Sequence, residues 1–196
     1  MINPAYKDRR QTYKDLWAKA KLNPDRLPQI DRTIDRILTG KDKYRQIERQ
    51  IGIPIHVTAL IHAMEADCDF DCHLFNGDSL AARTINEPKG YPKEGNPPFS
   101  WGQSAVASLI QSNLVNWSDW TIPGILYQLE GYNGWGYVDT KIYSPYLWSY
   151  TNIYRSGKYV SDGKFDPEAV SGQPGAAAIL MRMVHRGIVL EAPLWI

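Results

Sequence analysis

The sequence has little of what marks membrane-spanning, secreted or disulfide-bonded proteins. No run of residues approaches the roughly 20 consecutive apolar positions that a transmembrane helix needs. The N-terminus also lacks the apolar stretch of roughly 7–15 residues found in secretory signal peptides. Cysteine occurs only twice in 196 residues, as Cys68 and Cys72. Their spacing of four suits a mutual disulfide poorly, and we expect both to be thiols.

The chain also lacks a strong net charge. Its formal net charge is +1, but residues 1–50 hold 13 Lys and Arg against 7 Asp and Glu, and the remainder carries the compensating negative excess. A basic helical arm on a mildly acidic body is compatible with attraction to an anionic polymer. The basic residues are not dense enough for a nucleic-acid stripe, and none of the usual motifs is present. We therefore expect no nucleic-acid partner.

Hydrophobic residues recur at helical spacing over most of the chain. With 43% hydrophobic and 22% charged residues, the composition is that of a globular protein. Helices are predicted within residues 11–22, 29–39, 41–50 and 54–66, after a cap at Ser100, within 120–132, from Ser144-Pro145 onward, and within 172–187. Between 67 and 99 the helical pattern disappears, and an Asn-Gly turn predicts a small β-hairpin or a pair of extended strands at residues 73–85. The expected fold is mainly α, with this β element directly after the central helix.

The central helix, predicted within "PIHVTALIHAMEA", ends in a carboxylic acid. Val57, Leu60, Ile61 and Met64 form one apolar stripe, and Glu65 lies at its edge. The negative end of the helix dipole, partial burial and the aspartates that follow all favour the protonated form of Glu65. A general acid that works near neutral pH has this property. A protonated His62 would act in the opposite direction.

Two metal sites compete for the same stretch. Asp67, Asp69, Asp71 and Asp78 mimic the oxygen-ligand spacing of a calcium loop, but Cys72 stands where that loop needs glycine. Cys68, Cys72 and His73 offer three zinc ligands, but no second ligand pair follows at finger spacing. A plain acidic loop explains these residues more simply, and we expect neither a metal nor another cofactor.

Aromatic residues are concentrated in the second half of the chain. Residues 127–159 contain ten Tyr and Trp in 33 positions. Each presents a flat apolar ring with a polar edge, which suits polar ring-shaped ligands as well as a protein core. The glycines of "GYNGWGY" permit a tight turn or close approach of a ligand.

Several strings together resemble the lysozyme-like superfamily of peptidoglycan-cleaving enzymes, and more closely a group of phage-related and bacterial lysozyme-family proteins. They are "HAMEADCDFDCHLFNGDSLAARTI", "NPPFSWGQSAV", "LEGYNGWGY" and "SPYLWSYTNIYRSGKYVSDGKF". The resemblance covers residues 50–187 and implies a basic N-terminal helical segment at 1–45 followed by a lysozyme-like catalytic domain at 46–196. The sequence departs from the family pattern in two respects. Ala66 follows the glutamate, and the Gly-Leu-Met-Gln-like string of the family is absent.

The resemblance implies roles for particular residues. Glu65 matches the general acid of lytic transglycosylases and goose-type lysozymes, and Tyr132-Asn133 matches the segment that lines their glycan cleft. Tyr154 matches a later tyrosine near their active centre. The other residues predicted to bind substrate are Tyr137, Tyr146, Trp148 and Glu130. Glu130, Asp69, Asp71 and Asp78 are also candidates for a second carboxylate, and the sequence does not choose among them.

The function implied is cleavage of the MurNAc-GlcNAc strand of peptidoglycan, either by a muramidase or by a lytic transglycosylase, in a monomeric endolysin-like hydrolase of phage or bacterial cell-wall degradation. Such a protein, without a recognisable signal peptide, would reach the cell wall through a holin or another carrier, or as part of a phage. One alternative is an inactive glycan-binding or phage structural protein on the same fold. Another is a chitinase- or chitosanase-like enzyme.

Overall fold

The computed structural model describes residues 4–138, 140–161 and 163–188. Half of the chain is helical, and the protein is mainly α. The α-helices are α1 (Tyr6–Lys19), α2 (Leu27–Thr39), α3 (Lys41–Ile51), α4 (Ile55–Ala66), α5 (Trp101–Gln111), α6 (Ile122–Tyr132), α7 (Pro145–Trp148) and α8 (Ala176–His185). Short 3-10 helices span Pro24–Arg26 and Leu114–Asn116. The strands are β1 (Lys158–Ser161) and β2 (Lys164–Asp166), which pair antiparallel.

The chain divides into two compact units. The described part of the first unit holds residues up to 34 and from 119 to 188, and the second holds residues 35–118. Both units are built from helices, and the only strand pair among the described residues belongs to the first. The division into a segment at 1–45 and a domain at 46–196 stays a prediction.

In the first unit, α1 packs against α6, and α7 packs against both α6 and α8. Tyr13 and Leu16 are the buried residues of α1, while α8 is lined with small side chains at its start and buries Ile179 and Leu180 further on. Asp31 of α2 accepts two hydrogen bonds from the Arg182 guanidinium of α8, at 2.9 and 2.8 Å. This forked geometry fixes α8 on the first part of α2.

In the second unit, α3 packs against α4 and α5. Helix α3 ends at Gly52, whose left-handed φ of 77° lets its N–H bond the Glu48 carbonyl. Helix α4 begins directly after Pro54, which needs no hydrogen-bond partner for its nitrogen. Helix α5 begins with the predicted capping box, in which Ser100 and Gln103 each bond the other's backbone N–H.

Helix α4 is buried more completely than its sequence pattern indicates. All ten residues from 55 to 64 are buried, including His56, Thr58 and His62, so the helix has no solvated face along this stretch. The single apolar stripe predicted from the sequence is therefore too narrow. Helices that are enclosed on all sides belong to the core of a unit, and α4 has this position in the second unit.

The β-hairpin predicted around residues 73–85, directly after the central helix, is wrong in its placement. Residues 67–99 form turns and bends, with one isolated antiparallel bridge between Cys72 and Ser79. The carboxylate of Asp78 accepts the backbone N–H groups of Ile85 and Asn86, at 2.8 and 2.9 Å. Because these donors are bonded to a side chain, they are not available to a neighbouring strand.

Candidate functional site

Glu65 occupies the last turn of α4 and is half-buried, while the ten preceding residues are buried. The Asn76-Gly77-Asp78 turn packs directly against the end of this helix. A Cβ atom on Gly77 would lie 2.9 Å from the carbonyl oxygen of Glu65, which is too close for a side chain. Gly77 also has a φ of 77°. The backbone at Glu65 is thus held between the core and a turn that needs glycine, which is the kind of rigid support that functional side chains require.

His62, one turn before Glu65, is fully buried among aromatic side chains. Its Nδ1 lies 2.9 Å from the Tyr44 hydroxyl, and the Trp101 indole N–H donates to its Nε2 at 3.1 Å. Phe70 packs against the same imidazole with ring centroids 4.6 Å apart. Burial lowers the pKa of His62 to about 4. At neutral pH the ring is therefore uncharged, and it does not act on Glu65 as a cation.

The aspartates after α4 are occupied by local contacts. Asp67 forms an ion pair with Arg36. Asp69 accepts a hydrogen bond from the backbone N–H of Asp71 at 2.9 Å. Part of the negative charge expected near Glu65 is therefore neutralised by Arg36, and part lies on a carboxylate that is hydrogen-bonded to the backbone.

Asp78 organises the loop beyond these aspartates. Its carboxylate accepts hydrogen bonds from two backbone N–H groups, and its Oδ1 also lies 2.6 Å from the side-chain amide nitrogen of Asn86. Asn76 donates to the carbonyl oxygens of Asn86 and Glu87 at 3.0 and 3.2 Å. In the described ranges, no three His, Cys, Asp or Glu side chains are grouped so as to hold a metal ion. The structure thus gives Asp78 the role of a turn organiser.

His73 ties the same loop to α5. It is fully buried, with Nδ1 at 2.8 Å from the Ser104 hydroxyl and Nε2 at 2.8 Å from the carbonyl oxygen of Ala82. The Ser104 hydroxyl also accepts the backbone N–H of Leu74 at 3.1 Å. Both ring nitrogens are used within the protein, which makes His73 a structural residue of the second unit.

The first unit contains an open groove of 760 Å³. Three segments line it: residues 133–137 after α6 with the start of α7, the β1 strand and its turn, and residues 171–173. Its lining residues are Asn133, Gly134, Gly136, Tyr137, Pro145, Tyr146, Lys158, Tyr159, Val160, Ser161, Gly163, Ser171, Gly172 and Gln173. Lys158 is the charged side chain among these described residues. Aromatic rings combined with amide, hydroxyl and backbone groups suit an uncharged polar ligand such as a sugar.

Tyr137 connects two walls of this groove. Its hydroxyl accepts the backbone N–H of Tyr159 at 3.0 Å, and the two rings meet edge to face with centroids 5.4 Å apart. The Tyr159 ring also contacts Phe165 of β2 edge to face. The hairpin is therefore attached to the loop after α6 by an aromatic series, while Tyr159 itself stays 44% exposed.

The structure brings together three of the seven residues predicted to bind substrate, namely Asn133, Tyr137 and Tyr146. Tyr132 lies at the end of α6 and is not among the groove residues. Trp148 is 1% exposed and packs in the core, where it offers no surface to a ligand. Tyr154 lines a smaller pocket nearby.

Glu130 is buried at the contact between α1 and α6. It is 6% exposed and accepts a hydrogen bond from the Tyr13 hydroxyl. Burial raises the pKa of Glu130, although Tyr13 and Arg9 act in the opposite direction. This carboxyl is sealed within the first unit rather than facing the groove, so its geometry fits a structural role better than contact with a substrate.

Glu65 belongs to the second unit, where it is not among the residues that line that unit's groove. That groove has a volume of 720 Å³ and runs between residues 91–95 and one face of α5. Val106 and Ala107 line it together with Ile110, which is 51% exposed. It is more apolar than the groove of the first unit.

The hairpin that forms one wall of the groove is not among the elements predicted from the sequence. An Asp-Gly pair at 162–163, flanked by "KYVS" and "KFD", is a recognised hairpin signal and was present in the sequence. Residues 171–173 were missed as well, because nothing in their composition distinguishes them from an ordinary loop. These segments join the groove only through tertiary contacts.

Comparison with known proteins identifies no relative: no family model, no curated protein and no solved structure matches this chain.

Proposed function

We propose that the protein is a lysozyme-like enzyme that cleaves the glycan strand of peptidoglycan, with Glu65 as the general acid. The observation that carries this proposal is the position of Glu65. It is the first partly exposed carboxyl group after ten buried residues of α4, and it is supported by the close approach of Gly77. A rigid element that delivers one acid to the boundary of the core matches what glycoside cleavage requires.

The groove of the first unit gives separate support for a glycan ligand. Asn133 and the exposed face of Tyr159 offer a polar amide and an aromatic platform, and Tyr137 holds the two segments together. A volume of 760 Å³ lies within the range of about 300–1,000 Å³ that ligand sites occupy.

Two reaction routes are open to a single acid. In a muramidase, Glu65 protonates the leaving oxygen and water attacks the sugar carbon, with a second carboxylate as base or nucleophile. In a lytic transglycosylase, a hydroxyl group of the substrate attacks instead, and Glu65 acts first as acid and then as base. Glu130 is buried and Asp78 is held by backbone donors, which leaves the exposed Asp69 and Asp71 as candidates for the second carboxylate. Both routes therefore enter the test.

The test is release of soluble fragments from purified peptidoglycan by the wild-type protein and by Glu65→Gln. We expect the variant to lose at least about 100-fold in rate, the lower end of what a general acid contributes. Glu87→Gln is the matched control, because Glu87 is an exposed glutamate of the same unit and should keep full activity. Equal rates for wild type and Glu65→Gln would remove Glu65 from the mechanism.

Mass spectrometry of the released fragments separates the two routes. A transglycosylase leaves an anhydro sugar end, whereas a muramidase leaves a reducing end that contains one more water. A panel with chitin and chitosan tests the alternative substrates.

An inactive glycan-binding protein is the second candidate, and one observation favours it. Among the described residues, no carboxylate lines the groove of the first unit. A binder would be retained on insoluble peptidoglycan and would release no fragments, and replacing Asn133 by Ala should weaken its retention.

A further inference from the structure

A second, smaller pocket in the first unit has an unusual electrostatic composition. It is lined by Asn23, Arg26, Ser149, Tyr150, Thr151, Tyr154, Arg155, Val170 and Ser171. Two of these residues are arginines and none is acidic. Its volume of 130 Å³ is far smaller than the 760 Å³ of the larger groove. A space of this size takes one carboxylate or phosphate group.

The pocket is assembled by direct contacts between two segments that are distant in sequence. The backbone N–H of Asn23 donates to the carbonyl oxygen of Tyr150 at 2.9 Å, and Leu22 and Thr151 form an antiparallel bridge. The Asn152 amide group accepts the N–H of Lys21 at 2.6 Å and donates to the carbonyl oxygen of Lys19 at 3.2 Å. These bonds hold the two chain segments that carry Arg26 and Arg155 in a fixed position relative to each other.

Neither arginine is neutralised by an acidic partner. In the part of the chain that the structure describes, no carboxylate lies within ion-pair distance of Arg26 or Arg155. The Arg26 guanidinium carbon lies 5.1 Å from the centre of the Tyr150 ring, so cation–π attraction holds it at the pocket. A guanidinium presents several N–H donors in a planar fork that matches the oxygens of a carboxylate or phosphate. Both residues therefore have donors available to an anion.

A second observation is a buried hydroxyl group without a partner at the wall of this pocket. Ser149 is 1% exposed, and within the described residues its hydroxyl group has no hydrogen-bond partner. Most buried polar groups do have such a partner. The next residue, Tyr150, has a left-handed φ of 68°, a conformation that tyrosine adopts only when the surroundings enforce it. That conformation accompanies the packing of its ring against Arg26 and the bond from its carbonyl oxygen to Asn23.

We propose that this pocket binds a single oxyanion, a carboxylate or phosphate group, between the guanidinium groups of Arg26 and Arg155. Ser171 lines both this pocket and the larger groove, so a ligand in the groove can place an anionic substituent in the pocket. That placement is the only part that rests on the proposed function; binding of the anion itself does not.

The test is titration of the full-length protein with inorganic phosphate and, separately, with N-acetylglycine as the carboxylate probe. Binding is followed by calorimetry and by the NMR shifts of backbone amides at residues 149–155, with sodium chloride at the same ionic strength as the control for screening. We expect saturable one-to-one binding of at least one probe. Binding of phosphate alone identifies a phosphate ligand, and binding of N-acetylglycine alone identifies a carboxylate; either result supports the proposal.

The matched variants are Arg26→Gln, Arg155→Gln and, as the control, Arg32→Gln. All three arginines are exposed residues of the first unit, so the substitutions should leave the fold intact, but Arg32 does not line the pocket. Each pocket variant should weaken binding about tenfold or more, because each loses hydrogen bonds to a charged group. The proposal is overturned if neither probe saturates the wild type, or if Arg32→Gln weakens binding as much as the pocket variants. This test measures binding and no turnover, so its failure is distinct from the failure of the proposed function, which is equal peptidoglycan cleavage by the wild type and Glu65→Gln.

Discussion

Replacing Tyr13 by Phe should destabilise the protein, and the loss should grow as the pH rises. Tyr13 is 1% exposed and donates to Glu130, which is 6% exposed. Among the described residues, this is the hydrogen bond that the structure gives to the Glu130 carboxylate. The substitution removes one oxygen and leaves a buried carboxyl group without its donor, with little change of volume.

The size of the effect follows from the charge of the acceptor. A hydrogen bond to a charged group contributes about 1.5–3 kcal/mol, and one between neutral groups contributes about 1 kcal/mol. Where Glu130 is ionised, we therefore expect Tyr13→Phe to lower the free energy of unfolding by about 1.5–3 kcal/mol, and where it is protonated by about 1 kcal/mol. For a chain of this size, each kcal/mol lowers the melting temperature by roughly 2–4 °C.

The pH dependence has a definite sign. Burial raises the pKa of Glu130 in the folded protein above its unfolded value of about 4.3. The stability from this group is thus full below that value and declines as the pH rises through the folded pKa. The Tyr13 hydrogen bond lowers the folded pKa and limits this decline. Without it, the folded pKa rises further, and the variant loses more stability than the wild type as the pH rises above the unfolded value.

The assay is urea unfolding of both proteins at a series of pH values, reported as their difference at each pH. The buried His56 and His62 each have a pKa lowered to about 4, and they change stability over the same range. Their contribution is the same in both proteins and cancels in the difference. In a Glu130→Gln background, the cost of Tyr13→Phe should no longer depend on pH.

Tyr6→Phe is the matched control on the same helix. Its hydroxyl donates to Asp119 at 2.6 Å, but Asp119 also accepts the backbone N–H of Thr121 at 3.1 Å and lies 3.8 Å from the Arg10 guanidinium. Because that carboxylate keeps other partners near the surface, we expect a loss below about 1 kcal/mol. Equal losses for the two tyrosines, with no change across the pH series, would refute this account of Glu130.

Two further predictions concern the second unit. Gly77→Ala should lower the free energy of unfolding more than Gly52→Ala does. Both glycines have a φ of 77°, so both substitutions carry a left-handed penalty of about 1–2 kcal/mol. Only at Gly77 would the new Cβ also meet a backbone atom, the Glu65 carbonyl oxygen at 2.9 Å. Denaturant unfolding measures both variants, and equal costs would show that the turn moves away from Glu65 freely. For the thiols, iodoacetamide should label Cys72 in the native protein and Cys68 only after unfolding, because Cys68 is buried and burial raises its pKa to about 11. Mass spectrometry of the labelled chain, with Cys72→Ser as the control, checks this order, and rapid native labelling of Cys68 would contradict it.

The helices were largely predictable because their rules are local. Ser100 and Gln103 lie three residues apart, which is all that a capping box needs. Gly52 ends α3 through its own left-handed φ, and Pro54 precedes α4. Spacing of apolar residues at three and four positions located α2 and α4 for the same reason.

The loop after α4 and the composition of the sites depended on contacts that no local rule contains. An Asn-Gly pair predicted a hairpin at 73–85. In the structure the Asp78 carboxylate accepts the backbone N–H groups of Ile85 and Asn86, and the segment folds as a loop instead. The described strand pair lies instead at Lys158–Ser161 and Lys164–Asp166, where the aromatic contacts of Tyr159 hold it.

Residue type and position in the sequence determined that Glu65 ends a buried helix and that aromatic rings are abundant between 127 and 159. Only the tertiary structure decided which of those rings line the groove: Tyr137 and Tyr146 do, whereas Trp148 is enclosed by the core. The tertiary structure also buried Glu130 against Tyr13. It placed Arg26 and Arg155, which are 129 positions apart in the sequence, at the same pocket. The physical reason is that burial and long-range pairing depend on what packs opposite each side chain, which spacing along one segment does not specify.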